Sequence, residues 1–366
     1  MNILDRTLDL AIQIQQIPAP SFDEQERAAF LQTLFKQENL VDVETDAIGN
    51  VYARLPGEGN ARPVVISAHS DTVFPRETDL SVRREVGKIS APGIGDNSLG
   101  VAGLFGLLWS LRQQDLSLPG DVWLVSNVCE EGLGDLKGMR AVVERFGNRP
   151  LAYLILEGMA YSEIFHRGLG VQRYRISAIA KGGHSWADYG APSAIHELAA
   201  LVTQLTALEL PQEPRTSLNV GIISGGTSIN TIAAQAFLEL DLRSTDPVTL
   251  QNLAARVEAL VAESNHPGVK FEAEIIGQRP AGSIPEDHPL VQLAMRTLKA
   301  QGTQPHLNIG STDANIPLSK GLPAICIGLA HGRGAHTTGE FIYTEYLAKG
   351  LEQLLNVVIK VFENLK

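Results

Sequence analysis

The chain has 366 residues, enough for two compact domains, and a formal charge of −11. That charge disfavours a nucleic-acid partner, which calls for basic patches that neutralise phosphates. The composition lacks low-complexity tracts, which argues against disorder, and two cysteines, Cys129 and Cys326, are too few for a disulfide scaffold.

The opening segment is expected to form two amphipathic helices around Pro18-Ala19-Pro20, with Ser21 and Glu24 spaced as a capping box. Its mixed charges do not make a signal peptide, and no run is long enough to span a bilayer. A cytoplasmic location with reduced, buried thiols and no membrane partner is therefore expected. Three short apolar runs follow, at 64–68, 122–125 and 153–156. Near-continuous apolar runs suit strands covered on both faces by helices. Leu104, Leu108 and Leu111 lie at helical spacing and supply one such cover.

From about Val171 the pattern changes to β-α-β-β-α-β, the split βαβ arrangement. Tyr174, Ile176 and Ala178 mark its first strand, and 236–242 alternates strictly. Residues 171–285 read as a domain inserted into a discontinuous one formed by 1–170 and 286–366, with Gly168-Leu169-Gly170 and Pro280-Ala281-Gly282 as joints. The α/β pattern then resumes at 324–327 and closes with a helix bearing Leu347, Leu351, Leu354, Val358 and Phe362. The expected fold is α/β, a mixed sheet flanked by helices with a ferredoxin-like α+β insertion.

The polar residues are placed where chemistry is expected. The first apolar run ends at His69-Ser70-Asp71, the second leads to Cys129-Glu130-Glu131, and the third ends at Glu157. Ligands of α/β sheets bind beyond the carboxyl ends of parallel strands. Asp96 adds an acid in a glycine-bearing loop, and His336 a second imidazole. Two imidazoles and three carboxylates, with one glutamate to spare, suit zinc, manganese or cobalt. Three carboxylates exceed the need of one ion, and a shared one holds two ions roughly 3.5–4 Å apart in co-catalytic pairs. Asp96 is the natural bridge, because its loop approaches from outside the strand ends. The spare glutamate fits a general base. Each motif alone is ordinary: His-x-Asp is common by chance, and a Glu-Glu pair is usually a solvated face.

In this order, and interrupted by a small domain, the residues resemble the co-catalytic zinc metallopeptidase family. That family includes aminoacylase, succinyl-diaminopimelate desuccinylase, carboxypeptidase G and peptidase T. The resemblance implies that His69 and Glu157 bind one metal, that Glu131 and His336 bind the other, and that Asp96 bridges them. It implies Glu130 as general base and Asp71 as the group orienting His69. It also implies a cis peptide at Asp96-Asn97. One departure is visible: many relatives follow the bridging aspartate with an acid or Met, then Lys and Gly, whereas this chain has Asp96-Asn97-Ser98-Leu99-Gly100.

In the insertion, Lys181-Gly182-Gly183-His184-Ser185 matches a family segment whose histidine reaches the neighbouring subunit's active site and stabilises the oxyanion. A homodimer through the inserted domain follows. Asn230, in a glycine-rich turn, and Arg243, on a polar strand face, are candidate substrate contacts. For Arg243, pairing with Glu239 or Asp241 is an equal alternative. The loop Gly310-Ser311-Thr312-Asp313 resembles a cleft segment, with a helix cap as the alternative for Asp313. The expected activity is metal-dependent hydrolysis of the amide bond of small peptides or N-acyl amino acids. Within the resemblance, aminopeptidase-like relatives often carry aspartate where this chain has Glu157, which implies the acyl-amino-acid hydrolase and carboxypeptidase side. A di- or tripeptide aminopeptidase is the alternative, and a peptide-binding pseudoenzyme the rival from another class.

Overall fold

The computed structural model describes residues 2–365. It divides into two compact units, Met1–Gly168 with Ser283–Lys366, and Leu169–Gly282. The divisions fall at the two glycine-bearing joints.

The larger unit is built on a mixed sheet. Its strands run in the order Val41–Thr45, Val51–Leu55, Gly120–Asn127, Ala61–His69, Ala152–Glu157, Ala324–Gly328, Glu163–Gly168. The pairings of Ala61–His69 with Gly120–Asn127 and Ala152–Glu157 are parallel, as is that of Ala324–Gly328 with Ala152–Glu157. Residues 64–66 and 152–156 are almost fully buried, as a sheet covered on both faces requires. All three expected ligand-bearing runs therefore end at one edge. The helix Leu99–Gln113 is buried on every side from Leu99 to Leu111, more deeply than its leucine stripe suggested. It packs between the sheet and the helices Ile3–Gln15 and Leu347–Asn364.

A second, small sheet joins His331–Arg333, Phe341–Tyr343, Lys88–Ser90 and Arg83–Glu85, all antiparallel. It ties the loop carrying Asp96 to the loop carrying His336.

The capping box did not form. The second helix runs Gln25–Gln37 with Glu24 as N-cap and no side-chain cap bond. Ser21 Oγ instead donates to Asp71 Oδ2 at 2.6 Å, and Glu24 Oε1 accepts the N–H groups of Phe22 and Cys129. Ser21 thus makes a charge-assisted bond to a carboxylate, and Glu24 as a carboxylate receives two backbone N–H groups, so both polar groups turn inward.

The Leu169–Gly282 unit is a four-stranded antiparallel sheet in the order Thr216–Gly225, Gln235–Ser244, Gly170–Ala180, Val269–Arg279, which is the ferredoxin-like order. Helices Ala194–Thr206 and Pro247–Glu263 pack on one face, over Tyr174, Ile176, Ala178, Leu238, Leu240 and Leu242. Among the described residues, no helix is long and apolar enough to cross a membrane.

Candidate metal centre

Five of the expected ligands converge at the carboxyl edge of the large sheet. Two groups, His69–Asp96–Glu157 and Asp96–Glu131–His336, each bring their donor atoms within 4.8 Å of one another. Asp96 belongs to both. Its Oδ1 lies 3.2 Å from His69 Nε2, and its Oδ2 lies 3.2 Å from His336 Nε2. Glu157 Oε2 is 3.6 Å from His69 Nε2, and Glu131 Oε1 is 3.1 Å from His336 Nε2. One carboxylate divided between two imidazoles, each flanked by another carboxylate, is a donor set that could hold two ions.

The electrostatics fit a cation. Burial disfavours the His69 imidazolium, yet the charge of Glu157 and bonds to Asp71, Asp96 and Glu157 hold it well above the ordinary histidine range. Hydrogen bonds donated to the Asp96 and Glu131 carboxylates hold His336 up at about 10. Burial pushes Glu157 up to about 7, against the pull of His69. Burial also opposes ionisation of Asp96, but the two imidazoles keep it well below the usual carboxylate range. A divalent ion competes with protons for these same atoms, and oxygen and imidazole donors suit zinc, manganese or cobalt.

Behind the ligands lies a hydrogen-bond frame that the sequence did not disclose. Four consecutive N–H groups leading into the acidic pair end on buried side chains. Val128 donates to Asn50 Oδ1 at 3.0 Å, Cys129 to Glu24 Oε1 at 3.1 Å, Glu130 to Asp71 Oδ1 at 2.9 Å and Glu131 to Asp71 Oδ2 at 3.0 Å. Cys129 takes a φ of +56°. A β-carbon in that left-handed region costs roughly 1–2 kcal/mol, which the anchored turn must offset. Asp71 thus holds more than the His69 imidazole. His69 Nδ1 is 3.2 Å from the Asp71 carbonyl oxygen and 3.5 Å from Oδ1. The firmer carboxylate bonds go to the backbone of Glu130 and Glu131 and to Ser21.

The departure at Asn97 has a structural reason. The Asp96–Asn97 peptide is cis, and the Asn97 amide turns onto the end of the strand Ala152–Glu157. Its Nδ2 donates to Leu156 O at 2.9 Å, and its Oδ1 accepts the Gly158 N–H at 2.8 Å. Asn97 thus grips the backbone on both sides of Glu157. Gly100 makes room for it: a β-carbon there would lie 2.0 Å from Asn97 Oδ1. We expect Gly100→Ala to push Asn97 off Glu157 and weaken zinc binding roughly 10–100-fold, the usual cost of losing a ligand's supporting partner. Calorimetric zinc titration of folded protein checks this.

Asp313 is fully buried and accepts Asn127 Nδ2 at 2.6 Å. It does not cap the short helix Asn315–Ser319, whose N-cap is Ala314. Both cysteines are buried and free.

In the smaller unit, His184 and Asn230 come together. Gly183–His184 pairs with Thr231–Ile232, and Ser185 N–H donates to Asn230 O at 3.0 Å. His184 Nδ1 accepts the N–H groups of Trp186 and Ala187 at 3.2 and 3.3 Å. Arg243 pairs as its alternative reading had it: Nε donates to Asp241 Oδ2 at 2.7 Å, and Asp241 also takes Arg173 Nε at 3.0 Å.

The model of peptidase family M20/M25/M40 matches residues 65–360. Succinyl-diaminopimelate desuccinylase of Corynebacterium glutamicum is 23% identical over 93% of this chain and 92% of its own length. Acetylornithine deacetylase of Klebsiella pneumoniae is 28% identical over 82% of this chain and 80% of that protein. The crystal structure of aminopeptidase PepT from Bacillus cereus shares the fold, with a TM-score of 0.80 at 22% identity, covering 98% of both chains. The matched stretch runs from ahead of His69 to beyond His336, so the paired histidines and the acids between them are features of a chain that belongs to the peptidase family M20/M25/M40.

Proposed function

We propose that this protein is a dinuclear metal-dependent hydrolase that cleaves the amide bond of small peptides or N-acyl amino acids. The observation that carries the reading is the Asp96 carboxylate, one oxygen 3.2 Å from each histidine. His69, Asp96 and Glu157 would hold one ion, and Asp96, Glu131 and His336 the other. A pair of divalent ions, zinc on this imidazole and carboxylate donor set, would supply Lewis acidity towards the scissile carbonyl and the attacking water. Glu130, whose backbone Asp71 fixes, takes the proton of that water and delivers it to the leaving nitrogen.

His184 is the proposed oxyanion donor. With Nδ1 accepting two backbone N–H groups, the neutral ring carries its proton on Nε2, as hydrogen-bond donation to an oxyanion requires. The family resemblance places such a histidine in the neighbouring subunit's site, so a homodimer through the inserted unit belongs to the proposal. The edge strand Thr216–Gly225, with Ile222 and Ile223 exposed, supports it, because an unpaired strand edge invites a second one. Asn230, beside His184, remains a proposed substrate contact. Arg243 can serve as one only by giving up part of its bond to Asp241.

Glutamate at 157 and the two deacylase relatives favour N-acyl amino acids. The fold shared with an aminopeptidase keeps di- and tripeptides as the second reading. A panel of N-acyl amino acids, dipeptides and tripeptides, offered to zinc-, manganese- and cobalt-loaded protein, decides. Turnover of N-acyl amino acids above peptides is the expected result. Absence of hydrolysis across the whole panel would favour a non-catalytic peptide-binding protein.

A further inference from the structure

Four residues after His336 sits Glu340, a glutamate with no exposed surface. Its Oε2 accepts the N–H of Gly93 at 2.9 Å, and its Oε1 accepts those of Gly95 at 2.6 Å and Asp96 at 2.8 Å. Its carbonyl oxygen accepts the N–H of Ala91 at 3.0 Å. Pro92 has no N–H, and that of Ile94 closes a local turn on the Ala91 carbonyl. Glu340 therefore takes every other backbone N–H from Ala91 to Asp96. That segment belongs to no long helix or strand, and Asp96 itself has non-helical φ and ψ of −118° and 85°.

Burying a carboxylate is expensive unless it is hydrogen-bonded, and bonds to an ionised acceptor are the strong ones. The burial raises the Glu340 carboxyl to about 7 despite its three N–H donors. What the buried group achieves is local. It fixes the peptide whose side chain faces both His69 and His336, and it does so from the loop that carries His336.

We propose that Glu340 is a positioning residue for the two-ion site, setting the 91–96 segment so that the Asp96 carboxylate is divided between the two imidazoles. The inference rests on the dinuclear reading above. It assigns Glu340 no contact with ions or substrate. A glutamine there keeps one acceptor oxygen and turns an amide N–H towards a backbone N–H, so at least one bond is lost. An alanine loses all three side-chain bonds and leaves three donors unanswered.

Metal-stripped wild type, Glu340→Gln and Glu340→Ala are titrated calorimetrically with zinc. The cobalt absorption spectrum and the thermal melt of the ion-free protein are recorded in parallel. Relative to wild type, zinc affinity should fall roughly tenfold in Glu340→Gln and up to about 100-fold in Glu340→Ala, the range seen for outer partners of metal ligands. The cobalt spectrum should shift in both. A folded Glu340→Ala protein with wild-type affinity and spectrum overturns the inference. If that variant does not fold, unchanged affinity and spectrum in Glu340→Gln overturn it equally. Wild type that takes up no second ion overturns the dinuclear reading itself, and this inference with it.

Discussion

Replacing Glu130 with glutamine should leave two ions bound and lower kcat by roughly 10²–10⁴-fold, the contribution of a positioned general base. The expectation follows from how residue 130 is held. Its N–H donates to Asp71, and its side chain is buried next to Glu131, whose own N–H is held by the other Asp71 oxygen. Glutamine preserves this backbone and its volume but cannot accept a proton from water. Metal content, thermal stability and KM should therefore stay near wild type while kcat collapses. Near-normal kcat in the variant would show that the proton goes elsewhere. Loss of metal would show that Glu130 is a ligand and not the spare acid.

Asp96→Ala should have the opposite signature. Each donor group would shrink from three residues to two, and both histidines would lose the oxygen that faces them. Affinity for both ions should drop by more than the roughly 10–100-fold typical of outer partners. Bound metal after dialysis should fall below one equivalent, with activity at background. Asp96→Asn keeps one neutral oxygen and should lie between. Elemental analysis of dialysed protein checks both. Full retention of two ions in Asp96→Ala would remove the bridge from the account.

The candidate ligands are readable in the sequence because three lie at the ends of apolar runs, and strand direction places such ends at one edge. The ferredoxin-like insertion was readable from strict alternation, as at 236–242, where Leu238, Leu240 and Leu242 face the helices. The frame behind the site was not. Ser21 and Glu24 have the spacing of a capping box, and nothing local says that Asp71 and Cys129 offer them better partners. Glu340 is a single acid in a polar loop. Its partners at 93–96 are more than 240 residues away. The small sheet that brings the two loops together is made of three-residue strands, one of them Arg83–Glu85, with no apolar periodicity to betray it. Asn97 was visible as a departure, but its purpose appears only when Leu156 and Gly158 are seen on either side of its amide.

The central claim is that this chain holds two ions on one shared carboxylate. Counting zinc equivalents per chain, after saturation of metal-stripped protein and removal of excess ion, tests it most directly. Two equivalents in the wild type and fewer than one in Asp96→Ala are the predicted result. A single equivalent in the wild type, unchanged by Asp96→Ala, would contradict it.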